Sequence, residues 1–286
     1  MSGKFRAVFA CLLASTGVAI SGDFIRVTED ATAARLQTAV TRYEKNGVTV
    51  DLVGAVHIAD EAYYKALQER FTTYESLLFE MIGGEHLGRQ YAADVEGEPA
   101  QPKEQDAEAK TFNGLRTIYE SVANYLELSG QAEHINYAAA NFVHADLTLA
   151  EFQEKMRARK ESILSFALES AEHNHAQPNS LRLIRAVLAG SANHVKHELI
   201  RTLGAGDDQV SSIAGENVII SDRNVRCLEV LGREIAAGRK NLGIFYGAAH
   251  FPDMVKRLEA LGFKRVKHEW VTAWDIPKRA VARKAS

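Results

Sequence analysis

The chain has 286 residues, of which 46% are hydrophobic and 25% charged, and its formal net charge is −3 at pH 7. This composition is that of a globular protein with enough apolar residues for a core of its own, and it excludes the strongly basic character of a typical nucleic-acid-binding protein. Two cysteines, Cys11 and Cys227, are too few for a disulfide framework.

The first 21 residues have the organisation of a secretory signal peptide. Lys4 and Arg6 precede the apolar run 7–14, and Ala19-Ile20-Ser21 offers small residues at the −3 and −1 positions of a cleavage site. The alternative interpretation is an apolar N-terminal helix or strand of a cytosolic protein. No other apolar run reaches the ~20 residues of a membrane span. We therefore expect export to the periplasm or the extracellular space and no membrane span.

The first half of the remaining chain predicts a hairpin followed by a crossover unit. Asn46-Gly47 is a tight-turn signal, and Asp60 is suited to cap a helix. A strand, a helix and a second strand over this length are typical of a crossover between parallel strands. The predicted elements are strands Leu36–Tyr43 and Val48–Val53, a helix from Asp60 to Phe71, and a strand Leu77–Phe79.

The rest of the chain predicts a helical insert and a second strand-helix-strand half. Thr148-Leu149-Ala150-Glu151 is a capping-box pattern within the insert, and Gly262 is a predicted helix end. We expect one α/β domain over residues 22–277, with a mixed central sheet built from two related halves. Its predicted parts are a polar loop 94–110, a helical insert 111–203, a strand Val218–Ile220, a helix Asn224–Ala237, a strand Leu242–Tyr246, a helix Pro252–Leu261, a strand Arg265–Trp274, and a basic disordered tail 278–286.

Two short segments of the sequence are repeats of one another. Gly54-Ala55-Val56-His57 and Gly247-Ala248-Ala249-His250 align at an offset of 193 residues. Each follows a predicted strand and precedes a predicted helix, for which the aligned Asp60 and Asp253 are candidate caps. Small residues at a strand end allow a sharp turn and the close approach of a ligand, and open α/β sheets place their sites at the carboxyl ends of strands. The repeat therefore predicts that the two histidines meet in one cleft.

Further polar residues are predicted at the same edge of the sheet. Glu80 ends the strand 77–79, and Arg223-Asn224 follows the predicted strand Val218–Ile220. Two histidines and a glutamate suit a divalent metal with an open position, and an arginine suits a developing oxyanion or a substrate carboxylate. The other candidate cleft residues are Gly54, Gly247, Asn224 and His144.

Each of these residues also has a structural interpretation. The two histidines can be capping or core residues, and Glu80 can be a buried carboxylate satisfied by helix N-termini. Arg223 can pair with a neighbouring carboxylate, Asp222 or Glu216. His144 and Asp146 lead into the capped helix, so a structural role is favoured for them over a place in the cleft.

The same motifs make the sequence similar to the TraB/TIKI superfamily. It includes pheromone-shutdown proteins, GumN-like exported bacterial proteins and the Wnt-cleaving TIKI metalloproteases, with erythromycin esterases and haem-binding ChaN proteins as distant relatives. The resemblance rests on the paired Gly-x-x-His motifs, on Glu80 and on Arg223-Asn224, and it covers about residues 46–82 and 216–263. It implies that His57, Glu80, Arg223 and His250 form the site of a metal-dependent peptidase. Asp222 departs from the family, which often has glutamate there.

The sequence thus leaves two main functions open. The first is an exported metal-dependent hydrolase of peptides, in which His57 and His250 bind manganese, cobalt or zinc, Glu80 is a ligand or general base, and Arg223 stabilises the oxyanion. The second is a binding module that captures a peptide, haem or another small ligand without turnover, with a histidine as an axial ligand if the ligand is haem. A scaffold that has kept the fold and lost the chemistry is a third possibility.

Overall fold

A mixed sheet of parallel and antiparallel strands forms the centre of the fold. The computed structural model describes residues 18–21, 23–84, 86–87, 120–162, 185, 187–188, 190–204 and 217–278. Its strands are β1 Val18–Ser21, β2 Ile25–Glu29, β3 Ala33–Lys45, β4 Val48–Ala55, β5 Ile58–Ala59, β6 Ser76–Phe79, β7 Ser129–Gly130, β8 Phe142–His144, β9 Asn241–Gly247 and β10 Lys264–Pro277.

Helices cover the sheet or connect its strands. A π-helix, Val218–Asp222, is continuous with the α-helix Arg223–Ala236, and a 3₁₀ turn, Ala248–His250, is continuous with the α-helix Phe251–Ala260. The α-helices are α1 Glu61–Phe71, α2 Gln131–His134, α3 Leu149–Arg159, α4 Ala192–Gly204, α5 Arg223–Ala236 and α6 Phe251–Ala260. Within the described residues, every helix is too short or too polar to cross a membrane.

The sheet has an antiparallel half and a parallel half. The order of its strands is β1-β2-β3-β4-β9-β6-β8, and β10 pairs with β3. Strands β4, β9, β6 and β8 are mutually parallel, whereas β1, β2, β3, β4 and β10 pair in antiparallel fashion. The carboxyl ends of the four parallel strands therefore meet at one edge.

Each face of the sheet has its own apolar core. Along β6, Leu77 and Phe79 pack with α1, while Leu78 packs on the opposite face with α5 and α6. Along β9, Phe245 points to the α1 face and Ile244 to the other. Because successive side chains of a strand alternate between faces, the residue after Phe79 is directed to the face covered by α5 and α6. That residue is Glu80.

The predicted mixed α/β fold is confirmed. The hairpin is formed by β3 and β4, and Asn46 and Gly47 adopt the positive φ angles of 50° and 76° that its tight turn requires. The crossover β4-α1-β6 also has the predicted parallel strands, with β9 inserted between them. The predicted helices and strands of residues 241–277 are present with their bounds shifted by one to three residues.

The predicted strand Val218–Ile220 is wrong, because these residues form a π-helix. The Asn217 side chain accepts the backbone N–H of Ile220, and the N–H of Asp222 donates to the Asn217 carbonyl. These bonds close a wide helical turn that the β-branched residues do not prevent. The second half therefore lacks the first strand of the predicted strand-helix-strand unit.

The insert also differs from the prediction, since it contributes a strand to the main sheet. β8 pairs in parallel with β6, and the predicted capping box opens α3, with Thr148 and Glu151 bonded reciprocally. The polar loop 94–110 and the tail from residue 279 lie outside the described residues, as do the first 17 residues of the predicted signal peptide.

Candidate functional site

The two repeated motifs lie at the carboxyl ends of neighbouring parallel strands. β4 and β9 are adjacent, with Gly54 opposite Tyr246 and Ala55 opposite Gly247. The chain then behaves differently in the two copies. After Gly247 it tightens into the 3₁₀ turn, which buries His250, whereas after Ala55 it forms no helical turn, bends at His57 before β5 and leaves His57 exposed. The two copies of the motif therefore occupy equivalent positions at the ends of neighbouring strands, but their histidines lie in different environments.

Arg223 is the centre of the polar cluster at this edge. Its Nε donates to Asp146 Oδ1 at 2.9 Å and its Nη2 to Asp146 Oδ2 at 2.6 Å. Nη2 also donates to Glu80 Oε1 at 3.0 Å. Nη1 makes the two longest contacts, 3.3 Å to the Ile219 carbonyl and 3.4 Å to His250 Nε2. These contacts engage all five N–H groups of the guanidinium, so the structure places Arg223 as a buried hub between two carboxylates.

Glu80 is held in its ionised form. Burial by itself would raise the pKa of its carboxyl group, but Arg223, the protonated forms of His250 and His57, and the backbone N–H of Gly247 outweigh burial and lower the pKa to about 2. The Gly247 N–H donates to Oε2 at 2.5 Å. Oε1 is the oxygen that faces Arg223 and also lies 3.7 Å from His250 Nε2.

His250 is a neutral imidazole of fixed tautomer. Burial lowers its pKa to about 4, against the opposing effect of Glu80. Its Nδ1 lies 2.7 Å from the Asn224 side-chain oxygen. The amide orientation of Asn224 is itself determined, because its nitrogen donates to the His250 carbonyl and to Asp253 Oδ2. Nδ1 must therefore carry the proton, and the unprotonated Nε2 lies 3.4 Å from Arg223 Nη1 and 3.7 Å from Glu80 Oε1.

His57 lies on the solvent side of the cluster. Its side chain is exposed, its carbonyl accepts the N–H of Gln131, and its charge is among those that lower the pKa of Glu80. The two histidines thus share Glu80 as a neighbour. His250 is in contact with its carboxylate, and His57 interacts with it electrostatically.

The predicted glycines have different local roles. Gly247 donates its backbone N–H to Glu80 Oε2, and a Cβ at this position would lie 3.4 Å from that oxygen, in ordinary van der Waals contact. A Cβ at position 54 would lie 3.2 Å from the Ala39 carbonyl and 3.4 Å from the Ala248 Cβ. Gly54 therefore serves the packing of β4 against its neighbours, while Gly247 belongs to the site.

His144 is directed away from the cluster. Its Nε2 donates to the Met81 carbonyl at 2.8 Å, and its ring packs edge-on against Phe79, which lies on the α1 face. Because Glu80 lies on the other face, the structure does not bring His144 to the candidate site. The structural interpretation of His144 is the one that agrees with these contacts.

The candidate helix caps also make other bonds. Asp60 precedes α1, but its carboxylate makes no capping bond and instead accepts the N–H of Asp275 in β10. Asp253 lies in the first turn of α6, where its Oδ2 accepts from Asn224 and from Arg257 Nε. Asp253 thereby fixes the orientation of the Asn224 side chain, which in turn fixes the orientation of the His250 ring.

Asp146 is the residue that the sequence did not place in the site. It follows β8 and is 1% exposed, and both of its oxygens accept from Arg223. The signal for it was weak, since Phe142-Val143-His144 is too short to be recognised as a strand from periodicity. Once these residues are known to form a parallel strand, the polar residue beyond its carboxyl end falls at the functional edge.

The donor atoms present are compatible with a divalent cation. The buried cluster contains two carboxylates, Glu80 and Asp146, and one guanidinium, that of Arg223. Because His250 is neutral, the net charge of the cluster is −1. His250 Nε2 and Glu80 Oε1 converge, and the 3.4 Å contact from Arg223 to Nε2 is too long to be a strong hydrogen bond. No third His, Cys, Asp or Glu completes a ready-made metal group within the described part of the chain. The exposed side chain of His57 is the candidate third ligand.

Comparisons of the chain with family models, with curated proteins and with solved structures find no match. The assignment to the TraB/TIKI superfamily therefore stays a prediction that rests on the sequence motifs.

Proposed function

We propose that this chain is a metal-dependent hydrolase of acyl bonds, with a peptide as the leading substrate. The observation that carries the proposal is His250, whose unprotonated Nε2 lies 3.7 Å from the ionised carboxylate of Glu80 while Asn224 holds the Nδ1 proton. A neutral imidazole with its second nitrogen fixed by a polar partner is the usual form of a metal-binding histidine. The motifs shared with a superfamily that contains metalloproteases support a peptide over other acyl substrates.

Each residue of the cluster has a defined task in this proposal. His250 Nε2 and Glu80 Oε1 would hold the ion, and His57 would join them from the solvent side. When bound, the ion would lower the pKa of a water molecule and polarise the acyl oxygen. Gly247 fixes Oε2 of Glu80, so that Oε1, which accepts from Arg223 Nη2, would be the oxygen that binds the ion. Asn224 keeps His250 in the tautomer with a lone pair on Nε2.

Arg223 would stabilise negative charge through Nη1. This nitrogen makes the two longest contacts of the guanidinium, so its hydrogens are the ones that a developing oxyanion can take over at the lowest cost. Nε and Nη2 stay with Asp146 and Glu80 and keep the group in place.

A binding module without turnover is the second candidate. It is favoured by the fact that every N–H of Arg223 already has an acceptor within the protein. In that case the exposed His57 is the residue able to approach a large ligand such as haem, because His250 is 3% exposed.

Metal content and peptide cleavage distinguish the two functions. We expect the wild-type protein, reconstituted with manganese, cobalt or zinc, to bind the ion and to cleave members of a peptide library in a chelator-sensitive reaction followed by mass spectrometry. His250→Ala and Glu80→Gln should lose both properties. His268→Gln is the matched control, because His268 lies on β10 and bonds to Thr41 on β3, remote from the cluster.

The outcomes separate cleanly. Metal binding without cleavage of any peptide would favour the binding module. A wild-type protein that binds none of the three metals, or a His250→Ala variant that keeps its metal, would overturn the metallohydrolase.

A further inference from the structure

We propose that Asp146 is a positioning residue of the site, supplied by the insert strand β8 to orient Arg223 and through it Glu80. The catalytic meaning of this role rests on the proposed function, whereas the positioning itself does not. Asp146 makes no direct contact with Glu80 or His250 among the bonds of the cluster. It acts through the guanidinium that touches both.

The geometry of the pair fixes the plane of the guanidinium. Nε donates to Oδ1 of Asp146 at 2.9 Å and Nη2 donates to Oδ2 at 2.6 Å. Two such side-by-side hydrogen bonds form the bidentate arrangement of the strongest arginine–carboxylate pairs. This arrangement leaves the other hydrogen of Nη2 for Glu80 and directs Nη1 towards His250. Asp146 Oδ1 is itself fixed by the N–H of Leu147.

Asp146 also sets the charge of the cluster. With it, two carboxylates face one guanidinium, and the net charge is −1. Without it, Glu80 and Arg223 would neutralise each other, and the site would lose its electrostatic preference for a cation. The carboxylate side chain of Asp146 is fully buried, so solvent screens this charge little.

The insert brings Asp146 to the site through a second set of contacts. α3 begins three residues after Asp146, and its Arg159 pairs with Asp222 of the π-helix at 2.8 Å. Glu151 of α3 pairs with Arg226 of α5 at 2.5 Å. These ion pairs hold the insert against the segment that carries Arg223, so that Asp146 and Arg223 are positioned as a unit.

The test follows the Arg223 Nε–H directly by NMR. In the wild-type protein we expect a guanidinium Nε–H resonance that is protected from solvent exchange and is absent from the spectrum of Arg223→Lys. Asp146→Ala should abolish this protection, because it removes both acceptor oxygens, whereas the amide oxygen of Asp146→Asn can still accept one bond. Glu234→Gln is the matched control. Glu234 is also a fully buried carboxylate, but it lies at the far end of α5 and bonds to Ser76.

A second measurement titrates each protein with Mn²⁺ in a calorimeter. Asp146→Asn should weaken binding by about tenfold or more, in the range seen for lost outer-shell partners, while Glu234→Gln should bind like the wild type. A protected Nε–H in Asp146→Ala would overturn the positioning role. Unchanged Mn²⁺ affinity in Asp146→Asn would overturn the role of the Asp146 charge. A wild-type protein without Mn²⁺ affinity would instead contradict the proposed function, and the NMR result would still decide the positioning.

Discussion

His250 and Glu80 are in contact, yet they lose their native protonation states in different pH ranges. Burial disfavours the charged form of His250 and lowers its pKa to about 4, while Arg223 keeps Glu80 ionised down to about pH 2. A histidine with a lowered folded pKa contributes stability above its unfolded pKa of about 6.5. That contribution is lost as the pH falls towards the folded pKa, since the unfolded state takes up the proton first.

The lowered pKa of His250 predicts that this residue makes the free energy of unfolding depend on pH. Without added metal, the free energy of unfolding of the wild-type protein should fall between pH 7 and pH 5, with about 2 kcal/mol of the fall due to His250. Urea unfolding of the wild type and of His250→Asn at both pH values measures this share. Equal pH dependence in the two proteins would show that His250 is not held neutral by burial.

At the level of residues, the sequence predicted the meeting of Glu80, Arg223 and His250 but not the unequal histidines. The paired motifs encode a position at a strand end, and they do not encode whether the next residues tighten into a 3₁₀ turn. That turn buries His250 against Asn224, whereas the chain after Ala55 bends without a helical turn and leaves His57 exposed. Asp146 was missed because its importance arises from a contact with a residue 77 positions away.

At the level of elements, long periodic segments were predictable and short ones were not. The hairpin, α1 and α6 carry turn, cap or end signals of their own. The segment 218–220 has the β-branched residues of a strand, but tertiary bonds override this preference. The Glu161 carboxylate accepts the N–H of Val218, and Asn217 caps the turn. A π-helix just before Arg223 also agrees with the frequent occurrence of such turns at functional sites.

Replacing either of two glycines in consecutive elements, α5 and β9, by alanine should change the free energy of unfolding in opposite directions. Gly232 lies exposed in α5, and a Cβ added there would meet no atom within 4 Å, so Gly232→Ala should raise the free energy of unfolding by about 0.5–1 kcal/mol. Gly243 lies in β9, where an added Cβ would come within 2.6 Å of Leu77 and 2.8 Å of the Tyr74 ring. Gly243→Ala should therefore lower stability by about 1–3 kcal/mol.

Thermal and urea unfolding of both variants, compared with the wild type, check this pair. A destabilising Gly232→Ala would mean that α5 is not a regular helix at that position. A neutral Gly243→Ala would mean that β6 and β9 are less closely packed than their register requires.

On the scale of the whole molecule, the fold separates a parallel half that carries the site from an antiparallel half that completes the sheet. Glu80, Asp146 and His250 follow three of the four parallel strands, and α5 brings Arg223 to the same edge. β1, β2 and β10 lie beyond β4. Changes at the β1 edge of the sheet should therefore leave the polar cluster intact.

The predicted signal peptide provides the test of this separation. Its cleavage after Ser21 would remove β1, which among the described strands pairs with β2 alone, at the edge of the sheet. We expect the protein isolated from its native source to begin near Gly22, as shown by N-terminal sequencing. A recombinant chain that begins at Gly22 should unfold cooperatively and bind Mn²⁺, because the free energy stored in a terminal edge strand is small.

A chain that begins at Asp30 is the comparison for the same experiment. It also lacks β2 and the buried side chains of Phe24 and Val27, which are 5% and 4% exposed. Losing their burial should lower the free energy of unfolding by about 3 kcal/mol or more. Retention of Met1 or Ser2 in the native protein would argue against cleavage. Failure of the Gly22 chain to fold would mean that β1 is part of the mature sheet, because an edge strand that folding requires cannot be removed on export.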